Sequence, residues 1–154
     1  TNYLESFVKI LPELQNTYEL SLFVFDKRVD KNLLDVAKSF KIHVWNPPKT
    51  SFEGFCSMLA QQDVLLSSRA HGAICGAVLG VPSVLIEIES KLRTIHEMLP
   101  QSTTLHPPIE LSLETLLPAI DAMLGCEESV LMAEVEHNRL QVGNAVNLIL
   151  RADA

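Results

Sequence analysis

The run Ser67-Ser68-Arg69-Ala70-His71-Gly72 places two hydroxyls, a guanidinium and an imidazole next to one another. Such a set suits an anion. If the run is a turn leading into a helix, the free N–H groups and the positive end of the helix dipole add backbone donors to the side-chain ones, and a phosphate would be at home there. The same residues also have an ordinary reading: Ser and Arg before a helix often only cap it and solvate its end, and a His there can bond a carbonyl. The local pattern leaves both readings open, because turns of this kind are common in α/β folds. Geometry adds a condition. Residues two apart face the same side of an extended segment but nearly opposite sides of a helix. Arg69 and His71 therefore converge only if the helix starts late, near His71 or Gly72 rather than at Ser68, which also aligns Ser67 with the same face.

A second stretch, Glu87-Ile88-Glu89-Ser90-Lys91-Leu92-Arg93, carries acids and cations close together. Lys91 can meet a second anionic group of the same ligand, and Glu87 can orient a hydroxyl or an arginine. The plainer alternative is a solvated loop with local ion pairs worth under about 1 kcal/mol, which is the expectation for Glu89 and Arg93. His43, His96, His106 and His137 lack ligand spacing to cysteines or acids, so no metal is expected. There is no glycine-rich dinucleotide fingerprint and no P-loop signature, and no cofactor is expected. Gly76 and Gly80 read as packing and a helix stop, Cys75 as inert core, and Trp45 as the plug at a strand end.

These residues must be held by regular elements, and the hydrophobic pattern supplies them. Tyr3, Leu4, Phe7, Val8, Ile10, Leu11 and Leu14 recur at helical spacing until Asn16-Thr17, and Leu20 to Phe25 is a short apolar run of the kind seen in a strand covered on both faces. After a turn at Asp26 to Asp30, Leu33 to Phe40 predicts a second helix and Ile42 to Trp45 a second strand ended by Asn46-Pro47-Pro48. Ser51 caps a helix with Phe52, Phe55, Cys56, Leu59 and Ala60 on one face, and Val64-Leu65-Leu66 follows as a strand. The stretch from Ala70 to Leu79 is apolar all round apart from His71 and rich in small residues, which predicts a buried helix lying close to a sheet. Gly80-Val81-Pro82 stops it before the strand Ser83 to Ile86. Leu92 to Leu99 predicts a short helix, Thr103 to Leu105 a short strand, Leu113 to Leu124 a helix, and Glu127 to Arg151 a long last helix. Helices alternating with short apolar strands predict an α/β, doubly wound, Rossmann-like and mostly parallel sheet with helices on both faces. Ligands of such sheets sit beyond the carboxyl ends of the strands, where the run at 67–72 falls.

Composition sets the remaining bounds. The chain has 154 residues, 47% of them hydrophobic, which suits one globular domain with one core. A net charge of -7 from 12 basic and 19 acidic residues excludes a broad basic face for nucleic acid or an anionic membrane. The three cysteines stand far apart without a C-x-x-C pair, which reads as a reducing, cytoplasmic setting. No apolar run reaches the roughly 18 residues of a membrane span. Thr1 opens directly on a helical pattern, which leads us to expect an excised lobe whose other half lies upstream.

Leu65 to Ile74, then Ala77-Val78-Leu79-Gly80-Val81-Pro82-Ser83-Val84, then Lys91, together resemble the polysaccharide pyruvyl transferase family: an S-R-x-H turn, a small-residue helix, a G-V-P and a lysine one strand later. The resemblance covers residues 63–95 in detail. It implies the carboxyl-terminal lobe of a two-lobed, glycosyltransferase-B-like transferase that moves a pyruvyl group from phosphoenolpyruvate onto sugar hydroxyls of a cell-surface glycan precursor. A lipid-linked acceptor would place it at the inner face of the membrane. By similarity His71 is the general acid and Arg69 the donor clamp. Ser67, Ser68 and the Gly72 amide help hold phosphate or carboxylate, and Lys91 is an outer contact. The chain departs from the family at Ala70, where a larger aliphatic is usual, and at Glu87 to Ser90, which lacks a tyrosine-aspartate-proline flavour. The lobe alone is expected to be inactive. Two other readings stand beside this one. The run at 67–72 could grip the diphosphate of a nucleotide sugar in a glycosyltransferase, or the chain could be a non-catalytic assembly module whose last helix, 127–151, docks a partner or the missing lobe.

Overall fold

The computed structural model describes residues 3–25, 41–44, 49 and 51–152. The helix expected at Leu33 to Phe40, and Trp45 with the prolines after it, lie outside the described residues. The described elements are helix α1 (Tyr3–Thr17), strands β1 (Ser21–Val24) and β2 (Lys41–Val44), α2 (Phe52–Leu59), β3 (Leu65–Ser67), α3 (Ala70–Val78), β4 (Ser83–Ile86), α4 (Ser90–Met98), β5 (Thr103–His106), a 3-10 turn at Pro108–Glu110, α5 (Leu113–Leu124) and α6 (Glu128–Ala152). Among the described residues all strand pairing is parallel, in a β1-β2 ladder and a β3-β4-β5 ladder, with Ser67 opposite Leu85 and Ile86 opposite His106. The fold is α/β, with helices on both faces of a parallel sheet.

Strand alternation decides which helix covers which face. Leu66, Val84 and Ile86 join Ile10 and Leu14 of α1 and Leu116, Ile120 and Met123 of α5 in one apolar cluster. Leu65 points the other way, into a cluster with Leu59 of α2 and Cys75 of α3. Phe55 of α2 is fully buried and meets Phe23 and Phe25 edge-on, with ring centroids 5.6 and 5.0 Å apart. α1 and α5 each carry an internal proline, Pro12 and Pro118, and so each gives up one helical hydrogen bond.

The small-residue helix is covered on one face only, where the sequence led us to expect burial all round. Gly72, Ala73, Gly76 and Ala77 are buried, while Ile74 and Val78 are 43% and 55% exposed. Apolar composition cannot tell a stripe from a full wrap when half the side chains are too small to bury much area. Gly76 shows why small residues are needed: a Cβ there would lie 2.6 Å from Leu65 Cδ1, 2.9 Å from the Val81 carbonyl oxygen and 3.1 Å from Ser83 Oγ. Gly80 ends the helix with a positive φ of 73°.

At the amino ends of the strands, α6 is pinned by one carboxylate. Glu134 accepts from the amides of Gln101 (2.7 Å) and Ser102 (2.8 Å) and from the Ser102 hydroxyl, and Asn138 donates to the Met98 carbonyl (2.8 Å). At the opposite edge His106 is buried. Its Nδ1 lies 2.9 Å from the Pro107 carbonyl and must donate there, and its Nε2 lies 2.9 Å from the Thr115 hydroxyl. Ser112 and Thr115 close a capping box at the start of α5. No described helix is long and apolar enough to cross a membrane.

Gly76→Ala tests the packing of α3. Alanine favours a helix by up to about 1 kcal/mol over glycine, but the Val81 backbone cannot yield cheaply, so urea denaturation should show a net loss of about 1–3 kcal/mol. A gain in stability would mean that α3 does not sit this close to the sheet.

Candidate functional site

The run at 67–72 is a turn at the carboxyl end of β3, as its residue types suggested, and a single hydroxyl ties it. Ser67 Oγ accepts from the Arg69 amide (3.1 Å) and donates to the Arg69 carbonyl (2.9 Å). The one Ser67 hydroxyl proton is thus committed to the turn itself, which makes Ser67 a positioning residue for the corner. Arg69 is extended (φ −125°, ψ 129°) and precedes the first helical residue, Ala70. The helix thus starts one residue earlier than the expected His71 or Gly72, yet Ser68 and Arg69 stay outside it. The side chain of Arg69, the N-cap residue, makes no capping bond to this helix start, and the first backbone bond from the turn runs from the Ala73 amide to the Arg69 carbonyl at 3.3 Å. The amides of Ala70, His71 and Gly72 precede that bond and face out of the helix end.

Gly72 has a steric role beside its amide. A Cβ there would stand 2.6 Å from Ser67 Oγ, so the helix start and the strand end fit together only because position 72 lacks a side chain. Phe25, just beyond β1, closes the same corner at 3.9 Å from that Cβ position.

A cavity of about 470 Å³ adjoins the corner. Ser67, Ser68, Arg69 and Gly72 line it at one end, and the rest of its wall is mainly apolar, from α1, β1 and β3. His71, Glu87 and Lys91 do not line it. His71 is exposed on the first turn of α3 and does not line this cavity, so the late helix start on which the convergence of Arg69 and His71 depended is not met.

The second stretch is resolved differently from its expectation as a loop. α4 begins at Ser90, two residues before Leu92, which puts Lys91 in the first helical turn, 3.1 Å from Glu89. Glu87 is half-buried and grips Arg93 in a two-point pair, with Nε 2.8 Å from Oε1 and a terminal nitrogen 2.7 Å from Oε2. Of the two roles open to Glu87, a hydroxyl or an arginine, the structure shows the arginine. The Arg93 pairing is two-point, like that of the exposed Glu136–Arg139 pair, and differs from it in the burial of its acid; sequence spacing gave no sign of it. Cys75 is half-buried, and burial first, then the nearby Cys56, pushes its thiol above the usual range, so it stays protonated and inert at neutral pH. Among the described residues no group of three metal-ligating side chains comes together.

The sequence model of the polysaccharide pyruvyl transferase family matches residues 2–90. The matched span holds the corner at 67–72 and Glu87, and stops one residue short of Lys91. No curated protein and no solved structure matches the chain.

The fit between positions 67 and 72 predicts a coupled pair. Gly72→Ala alone should destabilise by about 1–3 kcal/mol. In a Ser67→Ala background the nearest side-chain atom becomes the Cβ at 3.5 Å, an ordinary contact, and the added penalty should largely vanish. Additive losses in a double-mutant cycle would show that the hydroxyl is not what the glycine accommodates.

Proposed function

Because the chain belongs to the polysaccharide pyruvyl transferase family, we propose that it is the donor-binding lobe of a two-lobed transferase that moves a pyruvyl group from phosphoenolpyruvate to hydroxyls of a cell-surface glycan precursor. The observation that carries this reading is the corner itself: an extended Arg69 followed by a helix start that its own side chain does not cap, at the carboxyl edge of a parallel sheet. Oriented amides and a guanidinium there favour a phosphoryl group through both local hydrogen bonds and the helix dipole. A donor bearing two anionic groups loses several kcal/mol if stripped of water without partners. It therefore lies along the open edge, where His71 and Lys91 are exposed, and not in the apolar cavity.

The chemistry suits such a shelf. One sugar hydroxyl adds to C2 of the enol phosphate while a proton is delivered to the methylene C3, which becomes the methyl group. The second hydroxyl then displaces phosphate from C2 and closes the ketal. Of the two hydroxyl protons, one is balanced by the new methyl hydrogen and the other leaves with phosphate. His71 is the general acid for C3, and Arg69 with the amides of Ala70, His71 and Gly72 holds the phosphate as charge develops on it. Ser68 and Lys91 are further donor contacts, and Ser67 fixes the turn. The acceptor is a glycan precursor, lipid-linked where the protein works at the inner face of the membrane. It enters from the upstream lobe, without which this lobe does not turn over. The free thiols Cys56, Cys75 and Cys126 agree with a cytoplasmic setting.

Thermal-shift titration of the chain should show stabilisation by phosphoenolpyruvate, about 2.7 kcal/mol at 100 times its dissociation constant. Stabilisation by a nucleoside diphosphate with indifference to phosphoenolpyruvate would instead favour a nucleotide-sugar glycosyltransferase. In the complete enzyme Arg69→Ala should weaken donor binding, whereas His71→Asn should spare binding and lower kcat by about 100-fold or more. Unchanged turnover in both variants would rule out catalysis at this corner.

A further inference from the structure

Arg93 is placed to take the carboxylate of the donor, and we propose that it is the second anion contact of the site, held ready by Glu87. The inference rests on the donor assignment above. Glu87 follows β4, the middle strand of the β3-β4-β5 ladder, and its amide continues the pairing by donating to the His106 carbonyl at 2.9 Å. Ser67 stands opposite Leu85 across the ladder, so continuing the register by two residues brings the level of Glu87 to that of Arg69, one strand away. Neighbouring strands lie about 5 Å apart, which sets the Glu87–Arg93 pair directly beside the corner and along the same edge.

The two partners of the pair are unequally buried. The Glu87 side chain is 18% exposed and that of Arg93 60% exposed, so the carboxylate is the fixed partner and the guanidinium the outward one. Arg93 engages the carboxylate through Nε and one terminal nitrogen. A guanidinium has five N–H donors in one plane, so this grip leaves the end formed by the two terminal nitrogens with hydrogens for another planar acceptor. A second carboxylate meets that end with matching two-point geometry, while a tetrahedral phosphate is better served by the amides at the start of α3. Holding the side chain beforehand also lowers the rotamer entropy lost when a ligand binds. Lys91 is a less selective contact, because an ammonium has no plane to match and its charge is already engaged by Glu89 at 3.1 Å.

Isothermal calorimetry on the full chain separates the two anionic groups, with phosphoenolpyruvate and inorganic phosphate as probes. Arg93→Lys should lower phosphoenolpyruvate affinity by about tenfold and leave inorganic phosphate unchanged, because charge is kept and the planar fork is lost. Glu87→Gln should lower phosphoenolpyruvate affinity less, again with phosphate unchanged, by loosening the fork. Equal weakening of both probes, or no weakening of phosphoenolpyruvate by Arg93→Lys in a variant of unchanged thermal midpoint, overturns the assignment of Arg93 while leaving the donor site at Arg69 standing. Failure of the unaltered chain to bind phosphoenolpyruvate overturns both.

Discussion

The closeness of α3 to the sheet is the constraint on which the rest depends. Two glycines and two alanines on one helical face let the backbone settle against β3 and β4, with Gly76 against Leu65 and the Val81 carbonyl and Gly72 against Ser67. A larger side chain at either glycine would lift the helix. Its amino terminus would then no longer point its amides across the strand ends, and the Ser67 hydroxyl would lose the geometry by which it holds Arg69. Packing inside the domain and chemistry at its edge are thus set by the same absent Cβ atoms.

The site is polarised along that edge. On one side stands a backbone-rich corner suited to a rounded, multiply charged group. One strand over, a planar cation held by a half-buried acid suits a flat one. Between them the sheet provides spacing that neither helix could hold alone, because the strand separation is fixed by hydrogen bonds whereas helix ends fray. The cavity behind the corner is a different environment, walled mainly by apolar side chains of α1, β1 and β3.

Much of this was legible in the sequence, and what was not has physical causes. Periodicity located the described helices to within a few residues, and short apolar runs marked β1, β3 and β4, because burial on both faces leaves little room for polar residues. The corner at 67–72 stood out through its residue types. The start of α4 was missed because Ser90 and Lys91 are polar at helical positions that face water, so no apolar stripe announces them. The Glu87–Arg93 grip spans six residues across a strand-to-helix turn, outside the three- and four-residue spacings by which helical pairs are recognised. The division into β1-β2 and β3-β4-β5 ladders, and the contact of Glu134 with Ser102 across 32 positions, depend on where distant segments meet.

Glu134 lies far from the corner, yet its position shapes what the fold can become. By gathering the Gln101 and Ser102 amides and the fully buried Ser102 hydroxyl, it fastens the long terminal helix to the end of the sheet opposite the corner at 67–72. The loops at the other end are thereby released from structural duty. They can lengthen, shorten or change residue type without loosening the frame at the other end.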